Sequence, residues 1–255
     1  MNVEGRTAVI TGASRGLGAG LAAAFHARGM RLGLCARSQP DTWQRPPGIQ
    51  TWKTDPRACA LAVDVRDPAA VEAFAQRVSE RFGAIDLWIN NAGVLDPIGP
   101  LRDLDSSRVR EHLEINVLGV VAGCQAFVRH LRARGGEGVL INVSSGAGRR
   151  PYAGWSSYCA AKAAVDRLTE CVQLEEGTAG LRAYSIAPGV IETAMQEKIR
   201  ATSEEVFPEV ERFRELARTA SFSRPEFIAQ QFLSIAFDPA QRPDAVLTQI
   251  GRAHV

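Results

Sequence analysis

The sequence has no surplus of charge of either sign, since 30 Lys and Arg residues balance 28 Asp and Glu residues and leave a net charge of +2. That balance gives no electrostatic reason to expect binding to nucleic acid or to an anionic membrane surface. The chain also lacks an unbroken run of about 18 apolar residues, and its first residues do not show a basic segment followed by an apolar one. We therefore expect a cytoplasmic protein that is not anchored in a membrane.

Cysteine and histidine are scarce and do not have the spacing of metal ligands. The five cysteines include no C-x-x-C pair, which fits a reducing compartment better than a framework of disulfides. None of the four histidines lies at a metal-ligand spacing from another histidine or from a cysteine. The sequence therefore predicts no metal site.

Short apolar runs alternate with longer amphipathic segments along the chain. The runs are Thr7 to Ile10, Arg31 to Cys35, Ala58 to Val65, Ile85 to Ile89, Gly138 to Val143 and Leu181 to Ile186, with a further candidate at Ala245 to Ile250. The predicted helices are Arg15 to Arg28, Pro68 to Phe82, Ser106 to Arg134, Ser157 to Glu176 and Pro225 to Phe237. Strands separated by helices of this length predict βαβ units. The expected fold class is α/β, a doubly wound parallel sheet of the Rossmann type with helices on both faces.

No linker or internal repeat divides the chain. A protein of 255 residues can bury one large core, and α/β proteins of this size commonly fold as one domain. We therefore expect residues 1–255 to form a single domain. The segment Ser38 to Pro56 contains four prolines, which remove backbone donors, so we expect it to be mostly loop.

A glycine-rich turn follows the first predicted strand directly, in the order Thr11, Gly12, Ala13, Ser14, Arg15, Gly16, Leu17, Gly18. Glycines at a strand-to-helix turn let the backbone approach a pyrophosphate, and the N-terminus of the next helix offers free N–H groups. The spacing differs from the G-x-G-x-x-G pattern, and a turn of this kind can also serve close helix packing alone. Its position between a strand and a helix favours a dinucleotide site.

The residues after the second strand bear on the choice of dinucleotide. NAD(H) is usually recognised there by a carboxylate that accepts from the ribose hydroxyls. Here the strand leads into Ala36, Arg37 and Ser38. Arg37 and Arg15 can bracket a 2′-phosphate with charge-assisted hydrogen bonds, unless both are ordinary surface arginines. We predict NADP(H) as the preferred cofactor, while Asp41 in the following loop leaves NAD(H) open.

Lysine occurs only three times, at Lys53, Lys162 and Lys198, and one of these residues follows a tyrosine by four positions. That spacing places Tyr158 and Lys162 on one face of a predicted helix. A phenol has an ordinary pKa of about 10, and a nearby ammonium lowers it toward the range useful for acid–base catalysis. By itself the pair is weak, because such pairs are also found on solvated helix faces.

Further motifs accompany this pair in a fixed order. They are TGASRGLG at 11 to 18, Asp64 with Val65, NNAG at 90 to 93, Asn116 within EINVLG, Ser145, YCAAK at 158 to 162, and the segment Pro188 to Thr193. With these motifs the sequence resembles the short-chain dehydrogenase/reductase family from about Thr7 to Thr193. The resemblance implies an oxidoreductase that transfers hydride between a nicotinamide cofactor and a small-molecule carbonyl or alcohol substrate.

The resemblance also implies catalytic roles for four residues. Tyr158 would donate the proton, and Ser145, rather than Ser144, would hydrogen-bond the substrate oxygen. Lys162 would bind the nicotinamide ribose and lower the pKa of the tyrosine. Asn116 would anchor a water-mediated proton relay.

The predicted cofactor site draws on most of the chain. The resemblance places Asp64 and Val65 against the adenine, and Asn91 and Gly93 along the cleft. It places the segment from Val190 to Thr193 against the carboxamide, although a threonine there can also cap the helix that follows. The complete predicted set is Gly12, Ser14, Arg15, Gly16, Leu17, Gly18, Arg37, Asp64, Val65, Asn91, Gly93, Tyr158, Lys162, Val190, Ile191 and Thr193.

The substrate pocket is expected in loops beyond the carboxyl ends of the strands, namely Leu95 to Leu101, Gly146 to Ser157 and Val190 to Phe222. Their aromatic side chains fit an apolar or aromatic carbonyl compound, and their arginines leave open an anionic group at one end of it. Many members of the family end in a Gly-Gly turn that helps to build a tetramer. This chain ends in Gly251, Arg252, Ala253, His254 and Val255, so we expect a homo-oligomer and leave homodimer and homotetramer open.

The alternative function is a non-catalytic sensor or scaffold that binds a dinucleotide and keeps the same fold. Such a protein needs only the glycine turn and Arg37. The intact set of Asn116, Ser145, Tyr158 and Lys162 favours the enzyme.

Overall fold

Seven parallel strands form one sheet in the computed structural model, which describes residues 2–243 and 246–250. The strands are β1 (Thr7–Thr11), β2 (Arg31–Ala36), β3 (Ala58–Ala62), β4 (Leu87–Asn90), β5 (Gly138–Val143), β6 (Leu181–Ala187) and β7 (Leu247–Gln249). They lie in the order β3-β2-β1-β4-β5-β6-β7. The chain order reverses between β1 and β4, and a reversal of this kind opens a crevice at the carboxyl ends of the strands where ligands bind.

Helices cover both faces of the sheet. They are α1 (Gly16–His26), α2 (Pro68–Phe82), α3 (Ser106–Leu113), α4 (Gly119–Arg134), α5 (Ser156–Glu176), α6 (Ala194–Ala201), α7 (Val210–Arg218) and α8 (Pro225–Phe237). Because successive strand side chains point to opposite faces, Ile10 joins one hydrophobic cluster and Val9 the other. The first cluster includes Phe232 of α8, and the second includes Phe74 of α2 and Phe127 of α4. The predicted doubly wound α/β fold is confirmed.

The long helix predicted from Ser106 to Arg134 is divided in the structure. A π-helical turn at Glu114–Leu118 separates α3 from α4, and it carries Asn116. Single π turns within α-helices are found frequently at functional sites. The chain is helical over the whole predicted range, and only the π turn within it was not predicted, because the apolar repeat continues across that turn.

Other predicted boundaries also shift. β3 ends at Ala62, so Asp64 and Val65 lie in the loop beyond it. The segment Ser38 to Pro56 is mostly loop, as expected, with one 3-10 turn at Pro40–Thr42. The loop is fixed to the core by two tryptophans, since Trp43 and Trp52 are fully buried. Helices α6 and α7 were not predicted.

Part of the predicted chain end lies outside the described residues. The tail at 251–255 belongs there, so the argument about oligomeric state stays a prediction. Within residues 2–243 and 246–250, each helix is too short or too polar to span a bilayer. The same ranges contain no cluster of three or more His, Cys, Asp or Glu side chains that could hold a metal ion.

Candidate active site

Tyr158 and Lys162 lie side by side in the first turns of α5, as the four-residue spacing predicts. The Lys162 Nζ atom is 5.6 Å from the centroid of the Tyr158 ring. Both side chains are buried, with 9% and 6% of their surface exposed. The lysine is held in place by a hydrogen bond of 2.8 Å from Nζ to the carbonyl oxygen of Val143, the last residue of β5.

The pKa of Tyr158 is shifted upward in the structure. Burial raises it to about 12, while a hydrogen bond with the Ser145 side chain acts in the lowering direction. The sequence suggested that the lysine ammonium would bring this pKa down. Burial outweighs the hydrogen bond with Ser145, since removing a phenolate from water destabilises it by more than that bond stabilises it. Tyr158 is therefore a protonated phenol at neutral pH and can act as a proton donor.

A buried carboxylate supports the lysine, and the sequence analysis did not identify it. Burial lowers the pKa of Lys162 to about 8, and the charge of Asp166 acts in the raising direction. Asp166 lies one helical turn further along α5 and accepts a hydrogen bond of 2.5 Å from the Ser185 hydroxyl. Its spacing of four residues from the lysine was a signal that could have found it. The lysine therefore stays largely charged at neutral pH.

The structure brings Ser145 to Tyr158 and gives Ser144 a different environment. Ser145 follows β5, and its Oγ atom accepts a hydrogen bond of 3.2 Å from the backbone N–H of Ala147 while also bonding the tyrosine. The hydroxyl of Ser144 is buried and has no hydrogen-bond partner in the described part of the chain. Of the two serines, Ser145 is therefore the one that hydrogen-bonds the phenol.

Asn116 lies across the cleft from the lysine. Its Oδ1 atom accepts from the Val94 backbone N–H at 3.0 Å, and its Nδ2 atom donates to the Val94 carbonyl at 2.8 Å. Gly93 separates Asn116 from Lys162. A Cβ atom on that glycine would lie 2.8 Å from Asn116 Oδ1 and 3.9 Å from Lys162 Nζ, so the missing side chain leaves space between them.

His112 is a second residue that the sequence analysis did not identify. It lies on α3, one turn before Asn116, and is 1% exposed. Its Nδ1 atom is 2.6 Å from the Asp96 carbonyl oxygen, and its Nε2 atom is 3.0 Å from Asn116 Nδ2. The ring meets Tyr158 edge to face, with the centroids 6.1 Å apart. This histidine therefore contacts two of the four predicted catalytic residues.

The glycine turn forms a close-packed cradle at the N-terminus of α1. A Cβ atom on Gly18 would lie 2.3 Å from the carbonyl oxygen of Gly12, which leaves no room for a side chain. Asn91 holds the turn from the other side, since its Nδ2 atom donates to the carbonyl oxygens of Thr11 and Gly12 at 2.9 and 3.2 Å. Leu17 packs against the core below the turn. The glycine turn is therefore held in place by hydrogen bonds on one side and by core packing on the other.

The loop after β2 reaches back over this cradle. Gln44 accepts from the Gly16 backbone N–H at 3.2 Å through Oε1, and its own N–H donates to the Ser14 carbonyl at 2.9 Å. No residue pattern predicts this contact, because the course of a proline-rich loop does not follow from its residue types. The Gly16 N–H thus donates to a side-chain oxygen of Gln44. A pyrophosphate would present oxygen acceptors to N–H groups of the same kind.

The two predicted phosphate-binding arginines are exposed at the same edge of the sheet. Arg15 belongs to the glycine turn, and Arg37 follows the last residue of β2. Asp64 forms an ion pair with Arg66, with 2.6 Å between the charged atoms. The hydrogen bond from Arg66 is the main cause that lowers the pKa of Asp64, and the charge of Arg37 contributes less. Asp41 accepts from the Thr51 hydroxyl within its own loop.

The segment predicted to hold the carboxamide lies against the glycine turn. A Cβ atom on Gly16 would be 3.2 Å from Thr193 Cγ2. Thr193 occupies the N-cap position of α6, but its side chain makes no capping hydrogen bond. Ile191 is buried, and the Val190 carbonyl accepts from the Ser223 N–H at 2.9 Å. On the adenine side, Val65 is buried against α4.

An aromatic cluster closes the far side of Tyr158. Trp155 and Phe207 stack with centroids 4.4 Å apart and planes 5° from parallel, and Tyr152 packs 5.1 Å from the tryptophan. The Trp155 ring lies 5.7 Å from Tyr158, edge to face. The loops expected to form the substrate pocket therefore do meet, and aromatic side chains join them.

Known proteins resemble the chain along nearly its whole length. A family model described as short chain dehydrogenase matches residues 6–204. A benzil reductase, (S)-benzoin forming, of Bacillus subtilis is 31% identical over 229 residues, which are 89% of this chain and 91% of the reductase. The solved structure of the KRED1-Pglu enzyme has a TM-score of 0.83 and 31% identity, and the match covers 96% of this chain and 100% of that chain.

A second solved structure contains a nucleotide. It is a short-chain dehydrogenase from Burkholderia cenocepacia in complex with NADP, with a TM-score of 0.78 and 27% identity. The match covers 98% of this chain and 98% of that chain.

Proposed function

Since the chain belongs to the short-chain dehydrogenase family and is an NAD(P)-dependent oxidoreductase acting on CH–OH and C=O groups, we propose that it is an NADPH-dependent carbonyl reductase with Tyr158 as its general acid. The observation that carries the proposal is the contact of Tyr158 with Ser145 on one side and Lys162 on the other. These three groups surround one point at the carboxyl ends of the central strands.

The proton is delivered by the protein's own residues. Tyr158, with its pKa raised to about 12 by burial, is protonated at neutral pH and gives its proton to the substrate oxygen. The Ser145 hydroxyl donates a hydrogen bond to the same oxygen and stabilises the charge that develops on it. Reduced nicotinamide supplies the hydride when it is bound.

Lys162 and Asn116 help to return a proton to Tyr158 after each turnover. The Lys162 ammonium, whose pKa burial lowers to about 8, remains charged at pH 7 and binds the nicotinamide ribose while favouring the phenolate left behind. Asn116 anchors a water between its side chain and the lysine, in the space beside Gly93. Protons then pass along this water toward Tyr158.

The residues present fit a dinucleotide and favour the phosphorylated form. The cradle formed by Gly12 and Gly18 admits no side chain, so a pyrophosphate can approach the backbone closely. Arg15 and Arg37 supply two exposed cations where a 2′-phosphate would lie. The NADP complex of the Burkholderia cenocepacia dehydrogenase supports the same choice. NADH remains a slower second cofactor.

The aromatic cluster suggests the substrate class. Trp155, Phe207 and Tyr152 form an apolar wall next to the proton donor. Flat aromatic ketones and diketones match such a wall, because rings pack edge to face or offset against one another. The benzil reductase among the relatives supports this class, since its name specifies benzoin as product.

The experiment follows the oxidation of NADPH by its loss of absorbance, with a panel of ketones, aldehydes and diketones as substrates. Tyr158→Phe should lower kcat by roughly 10² to 10⁴-fold, the contribution of a general acid. Its NADPH dissociation constant, followed by cofactor fluorescence, should stay unchanged. The matched control is Tyr184→Phe, which removes a hydroxyl from a buried tyrosine on β6 and should leave kcat unaltered.

Two results would contradict the proposal. A Tyr158→Phe enzyme with wild-type kcat removes the tyrosine from the mechanism. Tight NADPH binding without turnover of any carbonyl compound identifies a sensor instead of a reductase.

A further inference from the structure

We propose that His112 is a positioning residue that fixes the orientation of the Asn116 amide and thereby holds the proton relay in its working geometry. The inference rests on the proposed function, because the relay matters only if Tyr158 must be reprotonated. His112 is 1% exposed, packs edge to face against the Tyr158 ring and hydrogen-bonds Asn116. It acts through the asparagine.

The hydrogen bonds of His112 define its tautomer. The Nδ1 atom is 2.6 Å from the Asp96 carbonyl oxygen, which can only accept, so Nδ1 must carry the proton. In the neutral ring Nε2 is then a lone-pair acceptor. Asn116 Nδ2 lies 3.0 Å from it and donates. The contact therefore distinguishes the two ends of the amide, since an amide oxygen at that position would face another acceptor.

The other contacts of Asn116 require the same orientation. Nδ2 donates to the Val94 carbonyl, and Oδ1 accepts from the Val94 N–H. Both N–H bonds of the amide are thus used, one by His112 and one by Val94. The side chain can offer a water molecule only the remaining lone pair of Oδ1. A rotated amide would lose all three contacts at once.

That lone pair lies on the side of the cleft where the lysine is. Asn116 Oδ1 and Lys162 Nζ both lie within 3.9 Å of the point where a Cβ atom on Gly93 would be. Gly93 is exposed to the cleft, so water can enter. A water there accepts from the lysine ammonium and donates to the asparagine oxygen, so it is held beside Lys162. Once the lysine has passed a proton on toward Tyr158, this water can return a proton to the lysine and be recharged from solvent.

The charges around His112 keep it neutral. Burial lowers its pKa, and the Lys162 ammonium on α5 lowers it further, while Asp96 and the backbone of Ser157 oppose them. Tyr158 faces the ring from α5 as an uncharged phenol. The Asp96 carboxylate is itself paired with Lys198 of α6 and lies 4.0 Å from Arg108 of α3.

Protonation of His112 would place a second N–H against the Asn116 amide. Because the folded pKa lies below the ordinary value of 6.5, the neutral ring and its contact are present at neutral pH. They are lost as the pH falls through the folded pKa. The wild-type kcat should therefore decline on the acid side below pH 6.5, with Lys162 and Tyr158 setting the alkaline side.

Two substitutions separate the two hydrogen bonds of the ring. His112→Asn keeps a donor near the Nδ1 position for Asp96 and removes the acceptor for Asn116. His112→Gln places an amide oxygen near the Nε2 position and keeps that acceptor. We expect His112→Asn to lower kcat at least about tenfold, since it leaves a buried donor of the relay unpaired. His112→Gln should restore most of that loss and abolish the acid decline.

Ligand binding should be unaffected by these two substitutions. The KM for the carbonyl and the NADPH dissociation constant should stay at wild-type values in both variants, because the His112 side chain is 1% exposed and presents no surface to either ligand. The matched control is His130→Asn on α4, which removes a half-buried histidine that accepts the Ile85 N–H at 3.0 Å. It should leave kcat and its pH profile unchanged even if the melting temperature falls.

The wild-type protein provides a test that needs no variant. Nitrogen-15 shifts of the His112 ring should show a neutral ring protonated at Nδ1 at pH 7.5, roughly one unit above the ordinary histidine pKa. A ring protonated at Nε2 overturns the inference even if a variant fails to fold. Equal losses of kcat in His112→Asn and His112→Gln, or no loss in either, also overturn it. Absence of turnover in the wild-type enzyme would instead overturn the proposed function and this inference with it.

Discussion

Replacing Arg37 by aspartate should change the nucleotide preference of the enzyme. Arg37 is exposed at the carboxyl end of β2, next to Arg15 in the glycine turn. The β1 and β2 strands pair with Thr11 beside Cys35, so the two arginines follow neighbouring strand ends. The substitution removes one of two cations proposed for the 2′-phosphate and puts a carboxylate where an unphosphorylated ribose would present its hydroxyls.

The size of the expected change in cofactor preference follows from the hydrogen bond between Arg37 and the 2′-phosphate that is lost. A charge-assisted hydrogen bond contributes about 1.5 to 3 kcal/mol, and a factor of ten in affinity corresponds to about 1.4 kcal/mol. Arg15 remains and keeps the loss near the lower end of that range. Repulsion between the new carboxylate and the phosphate acts in the same direction as the loss. The ratio of kcat/KM for NADPH to that for NADH should therefore fall at least about tenfold.

The assay is steady-state kinetics with both cofactors at one ionic strength and one carbonyl substrate. The matched control is Arg31→Asp, which makes the same charge change at the exposed other end of the same strand. A six-residue strand spans about 20 Å, which is more than two Debye lengths of about 8 Å at physiological salt, so this variant should keep the wild-type ratio. An unchanged ratio in Arg37→Asp would mean that this arginine does not touch the phosphate, and the preference for NADPH would lose its main support.

Three further substitutions test the cradle, the lysine and the core. Gly18→Ala puts a Cβ atom 2.3 Å from a backbone oxygen of the glycine turn, so NADPH binding measured by fluorescence should be largely lost, and unaltered affinity would contradict the close packing. Asp166→Asn removes the charge that raises the pKa of Lys162, so the alkaline decline of kcat should move to lower pH, and a shift to higher pH would refute the assignment. Phe232→Ala truncates a fully buried ring of α8 and should lower the free energy of unfolding by about 3 to 5 kcal/mol. Urea denaturation measures this change. Phe227→Ala, on the same helix but 45% exposed, should cost no more than about 0.5 kcal/mol, and equal losses would show that burial is not the cause.

The sequence alone determined the parts of this protein that depend on local spacing. Alternating apolar runs and amphipathic segments predicted the parallel sheet with helices on both faces, because those periodicities follow from backbone geometry. The spacing between Tyr158 and Lys162 predicted a shared helix face for the same reason. The order of the motifs identified the family, and with it the type of reaction.

Tertiary structure alone decided the contacts between distant segments. The strand order places β4 and β5 together, and this brings the loop after β4, the π turn and the start of α5 around one point. No periodicity in the sequence records that His112 faces Asn116 and Asp96, or that Gln44 covers the glycine turn. Burial, which is a property of the whole fold, raises the pKa of Tyr158 and lowers that of Lys162. Local residues set which chemical groups are available, whereas desolvation by packing sets the protonation state in which they work.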